Sequence, residues 1–331
     1  MTTLRLGTRK SLMATIQSQR VADTLSQRTG HAVELVGVTT EGDVSTEMLA
    51  RIGGTGVFVN GLRERLLAGE VDFAVHSLKD LPTASPEGIA LAAVPARDDP
   101  RDALCSTPMA TSHHPQGGTT KLADLPRGAR VGTGSPRRAA QLRAIRPDLE
   151  IVAIRGNADT RLRKVADGEL AAVVLAYAGL VRIDRVDAVA ELLDPDIMLP
   201  APGQGALAVE CRADRADLVA LLGTLDDAAT RAAVTAERTV LATLEAGCSA
   251  PVGACAAGDF PELRLTAAVI ALDGTAQVRL SATGQAARAA ELGRDLADRL
   301  LAEGAGRLMG EQTQGGAPDT APRLRGRLRE S

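Results

Sequence analysis

A chain of 331 residues, with 45% hydrophobic and 24% charged content, is ordinary for a soluble globular protein and long enough for two or three domains. The formal net charge of −3 says nothing about partners, but residues 127–164 are strongly basic: Arg127, Arg130, Arg137, Arg138, Arg143, Arg146, Arg155, Arg161, Arg163 and Lys164 face only Asp148, Glu150 and Asp159. With no Trp, one Tyr and three Phe, stacking platforms for single-stranded nucleic acid are disfavoured, and small polyanions suit that stretch better.

The first residues enter a strand pattern without an apolar signal core, and no apolar run approaches a membrane span. Leu4–Gly7 reads as a strand and Leu12–Arg28 as a helix capped by Ser11, with Arg9 beside its anion-attracting N-terminus. Val33–Val38 is the next strand. The glycine-rich turn at Gly53, Gly54 and Gly56 precedes a helix over Val59–Leu67. It lacks the G-K-[ST] ending of a phosphate-binding loop and suits a mobile cover better.

The stretch VDFAVHSLKDLP organises the rest. Val71–Val75 has the pattern of a mostly buried strand, and His76, Ser77, Lys79 and Asp80 crowd the positions before Pro82. Ligands of open α/β sheets lie at the carboxyl ends of strands, so this cluster stands where chemistry is expected.

Ile89–Val94 is another strand, residues 96–102 a charged crossing, and residues 107–120 an exposed loop whose His113 and His114 are expected to face solvent. A second α/β unit has strands at Arg130–Thr133, Ile151–Ile154 and Ala171–Ala176. Their ends deliver Ser135, Pro136, Arg137 and Arg138, then Arg155 and Arg161, then Arg182. Three strand ends carrying arginine or a helix N-terminus suggest an anion-binding cleft. Leu199–Gly205 is a second crossing, followed by a strand at Ala206–Glu210, so the chain is expected to leave its first lobe and return to it.

A long helix is expected from Asp226 to Ala246, capped by Gly247, which leaves Cys248 in the loop beyond. Four cysteines (Cys105, Cys211, Cys248, Cys255) without CxxC spacing argue against zinc and disulfides and for a reduced, cytoplasmic protein. Cys248, among Gly, Ser and Pro, is the one placed for reactivity. Leu263–Ala271 and Ala276–Ala282 form a hairpin around Asp273-Gly274, covered by a helix over Ala286–Leu301. The tail from Gly310 is expected to be disordered.

The motifs LGTRKS (6–11), GGTGVF (53–58), DFAVHSLKDLP (72–82), GTGSPRR (132–138), RGNADTRL (155–162), LAYAGLVR (175–182), LPAPGQGA (199–206) and EAGCSAPVG (245–253) stand in one order. Through them the chain resembles the porphobilinogen deaminases, or hydroxymethylbilane synthases, to about residue 305. The resemblance implies an α/β protein of three domains: two periplasmic-binding-protein-like lobes around a cleft and a small α/β C-terminal domain. The division would be residues 1–101 with 203–222, then 102–202, then 223–309.

It also implies a transferase of porphyrin and haem biosynthesis. Such an enzyme condenses four porphobilinogens head to tail, with loss of ammonia, on a covalent dipyrromethane primer. Carried over by motif, Cys248 holds the primer through a thioether and Asp80 is the acid/base. Ser77, Lys79, Asp80, Thr133, Ser135, Arg137, Arg138, Arg155 and Arg161 bind the primer; Arg9, Ser11, Arg155 and Arg182 bind substrate. No metal, nucleic acid or membrane is implied, and the protein would be a monomer.

The chemistry agrees. Each porphobilinogen adds two carboxylates, which a cleft of fixed arginines suits, and Asp80 is the acid in the cluster of donors and cations that follows the strand. Arg51 and Thr55 stand where the family usually has lysines, and the turn Glu41-Gly42-Asp43 has an acid where a basic residue is common. Two other readings remain open at this point: a non-catalytic two-lobed binding protein, and a basic nucleic-acid-binding protein. The Cys248 loop and the missing signal core count against the first. The shortage of aromatics counts against the second.

Overall fold

The computed structural model describes residues 3–38, 56–107, 120–247 and 250–310. Arg51, Thr55, the turn at 41–43, His113, His114, Cys248 and residues 311–331 lie outside them. The chain opens with β1 (Leu4–Arg9), α1 (Leu12–Thr29), β2 (Val33–Val38), α2 (Gly56–Leu67), β3 (Phe73–Ser77) and β4 (Ile89–Ala93). It then crosses into β5 (Asp102–Ser106), β6 (Arg130–Thr133), α3 (Pro136–Ile145), β7 (Glu150–Ala153), α4 (Ala158–Ala166), β8 (Ala172–Ala176), α5 (Tyr177–Arg182) and β9 (Glu191–Leu193). It returns through β10 (Leu207–Arg212) and α6 (Ala216–Gly223). The last unit is α7 (Ala228–Thr243), β11 (Val252–Ala257), β12 (Glu262–Ile270), β13 (Gln277–Gln285) and α8 (Ala289–Ala302).

The first two sheets are built alike. Their strand orders are β2-β1-β3-β10-β4 and β7-β6-β8-β5-β9. In each, three strands run parallel, and the fourth is antiparallel to both of its neighbours. That antiparallel strand is always one that has just crossed: β10 on returning to the first sheet, β5 on arriving in the second. Each lobe is therefore closed by chain that comes from the other.

Phe73, Val75, Leu6 and Val209 pack on Leu25 of α1 in the first lobe, and Leu104, Val131 and Val174 on Leu142 of α3 in the second. The third unit is an antiparallel β11-β12-β13 sheet whose Leu265, Ala267 and Val269 bury against Val240 of α7 and Leu296 of α8. Its hairpin tip sits on α3. Gly274 has φ 80°, and a Cβ there would stand 2.5 Å from the Ala144 nitrogen, so both the turn and the contact require glycine.

Several expectations are corrected. The organising strand is β3 over residues 73–77, two residues later than its apolar pattern suggests. Asp72 is drawn off the strand by Arg5, whose backbone N–H and guanidinium both donate to its carboxylate. His76 is consequently a buried strand residue, 3.4 Å from Glu210, and not part of a polar turn. The long helix ends at Thr243; Glu245, with φ 50°, takes the left-handed position expected of Gly247. The last expected helix begins as a short 3-10 turn, Ala286–Arg288, before α8.

One buried carboxylate joins three parts of the fold. Glu237 of α7 is fully buried and accepts from Arg97 on the outgoing crossing (2.7 and 3.0 Å), from the Gly203 N–H on the returning one (2.7 Å), and from the Ala256 N–H of β11 (2.8 Å). Burial alone would lower the Arg97 pKa, but Glu237 outweighs it and the guanidinium is held above its ordinary value. Glu237→Ala leaves the Arg97 cation without its carboxylate and two N–H groups without their acceptor, so urea denaturation is expected to show a loss of about 3–5 kcal/mol, with a smaller loss for Glu237→Gln.

Candidate active site

The expected residues gather where the carboxyl ends of the parallel strands face the crossings. In the first lobe β1 ends at Arg9, and Ser11 caps α1 by accepting from the Ala14 N–H at 3.4 Å. β3 ends at Ser77, whose hydroxyl exchanges hydrogen bonds with the Gln17 amide at 3.0 and 3.3 Å. A 3-10 turn, Leu78–Asp80, follows: Leu78 is fully buried and anchors it, while Asp80 is exposed. Arg9, Ser11, Met13, Gln17, His76, Ser77 and Asp80 line one cavity of about 310 Å³.

In the second lobe, Thr133 ends β6 and its hydroxyl accepts from the Ser135 N–H at 3.2 Å. Ser135 caps α3 with Pro136 in the first turn, which sends Arg137 and Arg138 back under the sheet. Both are almost fully buried on Asp102, the first residue of β5. Arg137 donates to Asp102 at 2.8 Å and to the Leu199 carbonyl; Arg138 donates to Asp102 at 2.7 and 3.0 Å and to the Val174 carbonyl at 3.2 Å. Burial would raise the Asp102 carboxyl, but the two guanidiniums win and hold it below the usual carboxylate range.

Gln204 joins this group to the first lobe. Its amide N–H donates to Asp102 (2.8 Å) and the Pro100 carbonyl (2.7 Å), while its oxygen accepts from Lys79 at 3.3 Å and Arg138 at 3.4 Å. Burial, together with repulsion from Arg138 and Arg137, pushes the Lys79 ammonium down to about 8 against the pull of Asp80 and Asp102. Arg161 donates to the Gly156 carbonyl at 2.9 Å and lies beside Gly134; burial and then Arg138 lower its pKa. Arg155 is exposed. Lys79, Arg137, Arg138 and Arg161 thus crowd one region in which the buried acid is Asp102.

Arg182, expected to bind substrate, ends α5 with Asp80 near enough to pull on its charge. It is 6% exposed and donates to Asp98 at 2.8 Å and to the Gly205 carbonyl at 2.6 Å, both on the crossings. Asp102, Gln204 and Gln17 went unrecognised in the sequence. Asp102 opens the run Ala103-Leu104-Cys105 immediately after a charged crossing, and an acid at the mouth of an apolar strand was the signal available.

The described cysteines are unreactive. Cys105, Cys211 and Cys255 are all buried in strands, and burial pushes their thiols up to about 12, 11 and 12. Cys248 lies outside the described residues, between Gly247 and Ala250, whose N–H donates to the Gly247 carbonyl at 3.0 Å. Among the described residues no cluster of His, Cys, Asp or Glu could hold a metal ion, and no helix is long and apolar enough to cross a membrane.

Two family profiles match the chain: "Porphobilinogen deaminase, dipyromethane cofactor binding domain" over residues 4–220 and "Porphobilinogen deaminase, C-terminal domain" over residues 231–302. "Porphobilinogen deaminase 1" of Streptomyces coelicolor is 57% identical over 324 residues, covering 94% of this chain and 98% of that protein. Porphobilinogen deaminase of Thermobifida fusca is 58% identical over 327 residues, covering 95% and 98%. A periplasmic substrate-binding protein of an ABC transporter from Coxiella burnetii superposes with a TM-score of 0.42 at 15% identity, over 69% of this chain and 94% of that one. With both family domains matched in order and more than half of all residues shared along nearly the whole length, the chain belongs to the porphobilinogen deaminase family.

Proposed function

We propose that this chain condenses four porphobilinogen molecules head to tail into hydroxymethylbilane, releasing one ammonia per addition, on a dipyrromethane primer held as a thioether by Cys248. The observation that carries the reading is the crowding of Lys79, Arg137 and Arg138 around the buried carboxylate of Asp102, with Arg161 beside Arg138 and the cavity that Asp80 lines close by. Cations desolvated to this degree and repelling one another favour a bound polyanion. A primer with two carboxylates per ring matches that demand.

The primer fits residues on both lobes. Ser77, Lys79 and Asp80 would hold it from one side; Thr133, Ser135, Arg137, Arg138, Arg155 and Arg161 from the other. When bound, it supplies the nucleophilic pyrrole carbon. Arg9 and Ser11, at the N-terminus of α1 in the same cavity as Asp80, receive the carboxylates of the incoming porphobilinogen.

Asp80 faces the reacting centre. It gives a proton to the substrate's amine, which departs as ammonia with the C–N bonding pair. The carboxylate then stabilises the methylene cation left on the substrate pyrrole, and later accepts the proton that the new ring junction releases. Gln17 holds Ser77 and so fixes the strand end from which Asp80 projects.

The lobes as divided above, residues 1–101 with 203–222 and residues 102–202, are the units proposed to move as the chain of rings grows. The reading carries with it a cytoplasmic monomer whose partner is porphobilinogen and not nucleic acid. Purified protein given porphobilinogen is expected to release ammonia and form a linear tetrapyrrole.

Intact mass is expected to exceed the sequence mass by two linked pyrroles, with the excess on the peptide containing Cys248; active protein of unmodified mass refutes the attachment. Asp80→Asn is expected to fold normally by circular dichroism and to lose roughly 10²–10³-fold in turnover. Near-normal turnover would remove Asp80 from the mechanism. Lys79 is charged below about pH 8 and neutral above it, so the charge available to the primer falls as pH rises through that value. In protein produced without porphobilinogen, primer uptake is expected to slow over that range, and Lys79→Arg to remove the slowing, because a guanidinium stays protonated.

A further inference from the structure

The two crossings touch at Gly205 and Asp98. Gly205 has φ 89°, and a Cβ on it would stand 2.4 Å from the Asp98 carbonyl oxygen, so the strands meet backbone to backbone. Between themselves they share a long hydrogen bond, Asp98 N–H to Gly205 carbonyl at 3.3 Å. Nearby, Arg97 Nε donates to the Gln204 carbonyl and Gln204 Nε2 to the Pro100 carbonyl, both at 2.7 Å, and a further, charge-assisted link comes from the second lobe. Arg182, at the end of α5, donates to the Asp98 carboxylate on the outgoing strand and to the Gly205 carbonyl on the returning one.

We propose that Arg182 is a hinge clamp: it pins the outgoing strand to the returning one through Asp98 and Gly205, and a substrate carboxylate that displaces Asp98 from its guanidinium releases the hinge. The inference rests on the reading above for the identity of the carboxylate, though the clamp itself does not depend on it.

Three observations support an exchangeable clamp over a static one. The Asp98 side chain is 35% exposed while that of Arg182 is 4% exposed, so the carboxylate has a route into water and the guanidinium does not. Replacing one carboxylate by another leaves the charge balance around the guanidinium unchanged and avoids exposing a buried cation. Finally, α5 is the helix that meets the first lobe: the Met13 methyl lies 3.4 Å from where a Gly179 Cβ would stand. A change at Arg182 therefore acts on an element that spans both lobes. Arg182 in this account takes the arriving carboxylate itself and couples its arrival to lobe spacing.

Hydrogen exchange on the holoenzyme tests it, followed in peptides covering residues 96–101 and 203–207, with residues 263–270 of the third unit as a folding control. Without substrate, Asp98→Asn is expected to exchange roughly 10- to 100-fold faster in the two hinge peptides and unchanged in the control, the range set by losing one charge-assisted hydrogen bond. Wild-type protein is expected to reach the same hinge rates only when porphobilinogen is added. The KM of Asp98→Asn is expected to fall several-fold, since a competitor for Arg182 is gone, a change that simple loss of structure does not produce.

Unchanged hinge exchange in Asp98→Asn overturns the clamp. Unchanged hinge exchange in wild type while ammonia is being released overturns the displacement and leaves the proposed activity standing. Absence of ammonia release defeats the activity and the displacement together, while the substrate-free comparison still decides the clamp. If Asp98→Asn speeds exchange in the control as well, Arg182→Lys decides: one ammonium cannot span both partners, so hinge-selective acceleration supports the clamp and wild-type exchange refutes it.

Discussion

The carboxylate of Asp102 is the point on which the site depends. A carboxylate and two guanidiniums are buried together, and each is tolerable there only because the others are present. Asp102 is also the first residue of β5, the strand that enters the second sheet from the first lobe. The same residue that neutralises Arg137 and Arg138 therefore marks where the chain passes from one lobe to the other. Gln204, on the returning crossing, bonds to it and to Lys79 of the first lobe. Cleft charge and lobe connection are built from one set of atoms.

Three side chains hold the crossings from three directions. Gln204 lies between the lobes, Glu237 reaches in from the third unit through Arg97 and Gly203, and Arg182 reaches in from the second lobe through Asp98 and Gly205. Gln204 and Glu237 are themselves almost fully buried, whereas the Arg182–Asp98 pair opens to solvent on the Asp98 side. A protein that must accommodate a lengthening chain of anionic rings needs connections that are firm at the lobe roots and yielding at one point. The distribution of burial among these ties meets that requirement.

The buried acid of the first lobe, Glu210, shows what an internally balanced pair looks like by comparison. Arg63 donates to it at 2.7 and 2.9 Å, and His76 lies 3.4 Å away. Burial would raise the Glu210 carboxyl, but these neighbours hold it down at about 2. There one carboxylate meets one guanidinium. Around Asp102 two guanidiniums share one carboxylate, and that imbalance separates it from the Glu210 pair.

Most of the elements were legible in the amino-acid order. Ser11, Ser135 and Pro136 announce their helices, period-2 patterns announce β1 and β2, a short apolar run announces β8, and Asp273-Gly274 announces its hairpin. These are local signals, because capping and strand alternation are decided within a few residues. The gathering of Arg137, Arg138 and Arg161 in one region was legible too, since arginines following strand ends collect at one edge of a sheet. What the order of residues alone could not decide is which of those arginines carry their partners with them. Arg138 and Arg161 look alike in sequence, yet one lies on Asp102, 36 positions away, and the other on the Gly156 carbonyl only five away. Arg182, Asp98 and Gly205 are joined across 84 and 23 positions. Pairing of that kind depends on how two sheets exchange their antiparallel strands, and only the packed chain brings such distant charges within hydrogen-bonding distance.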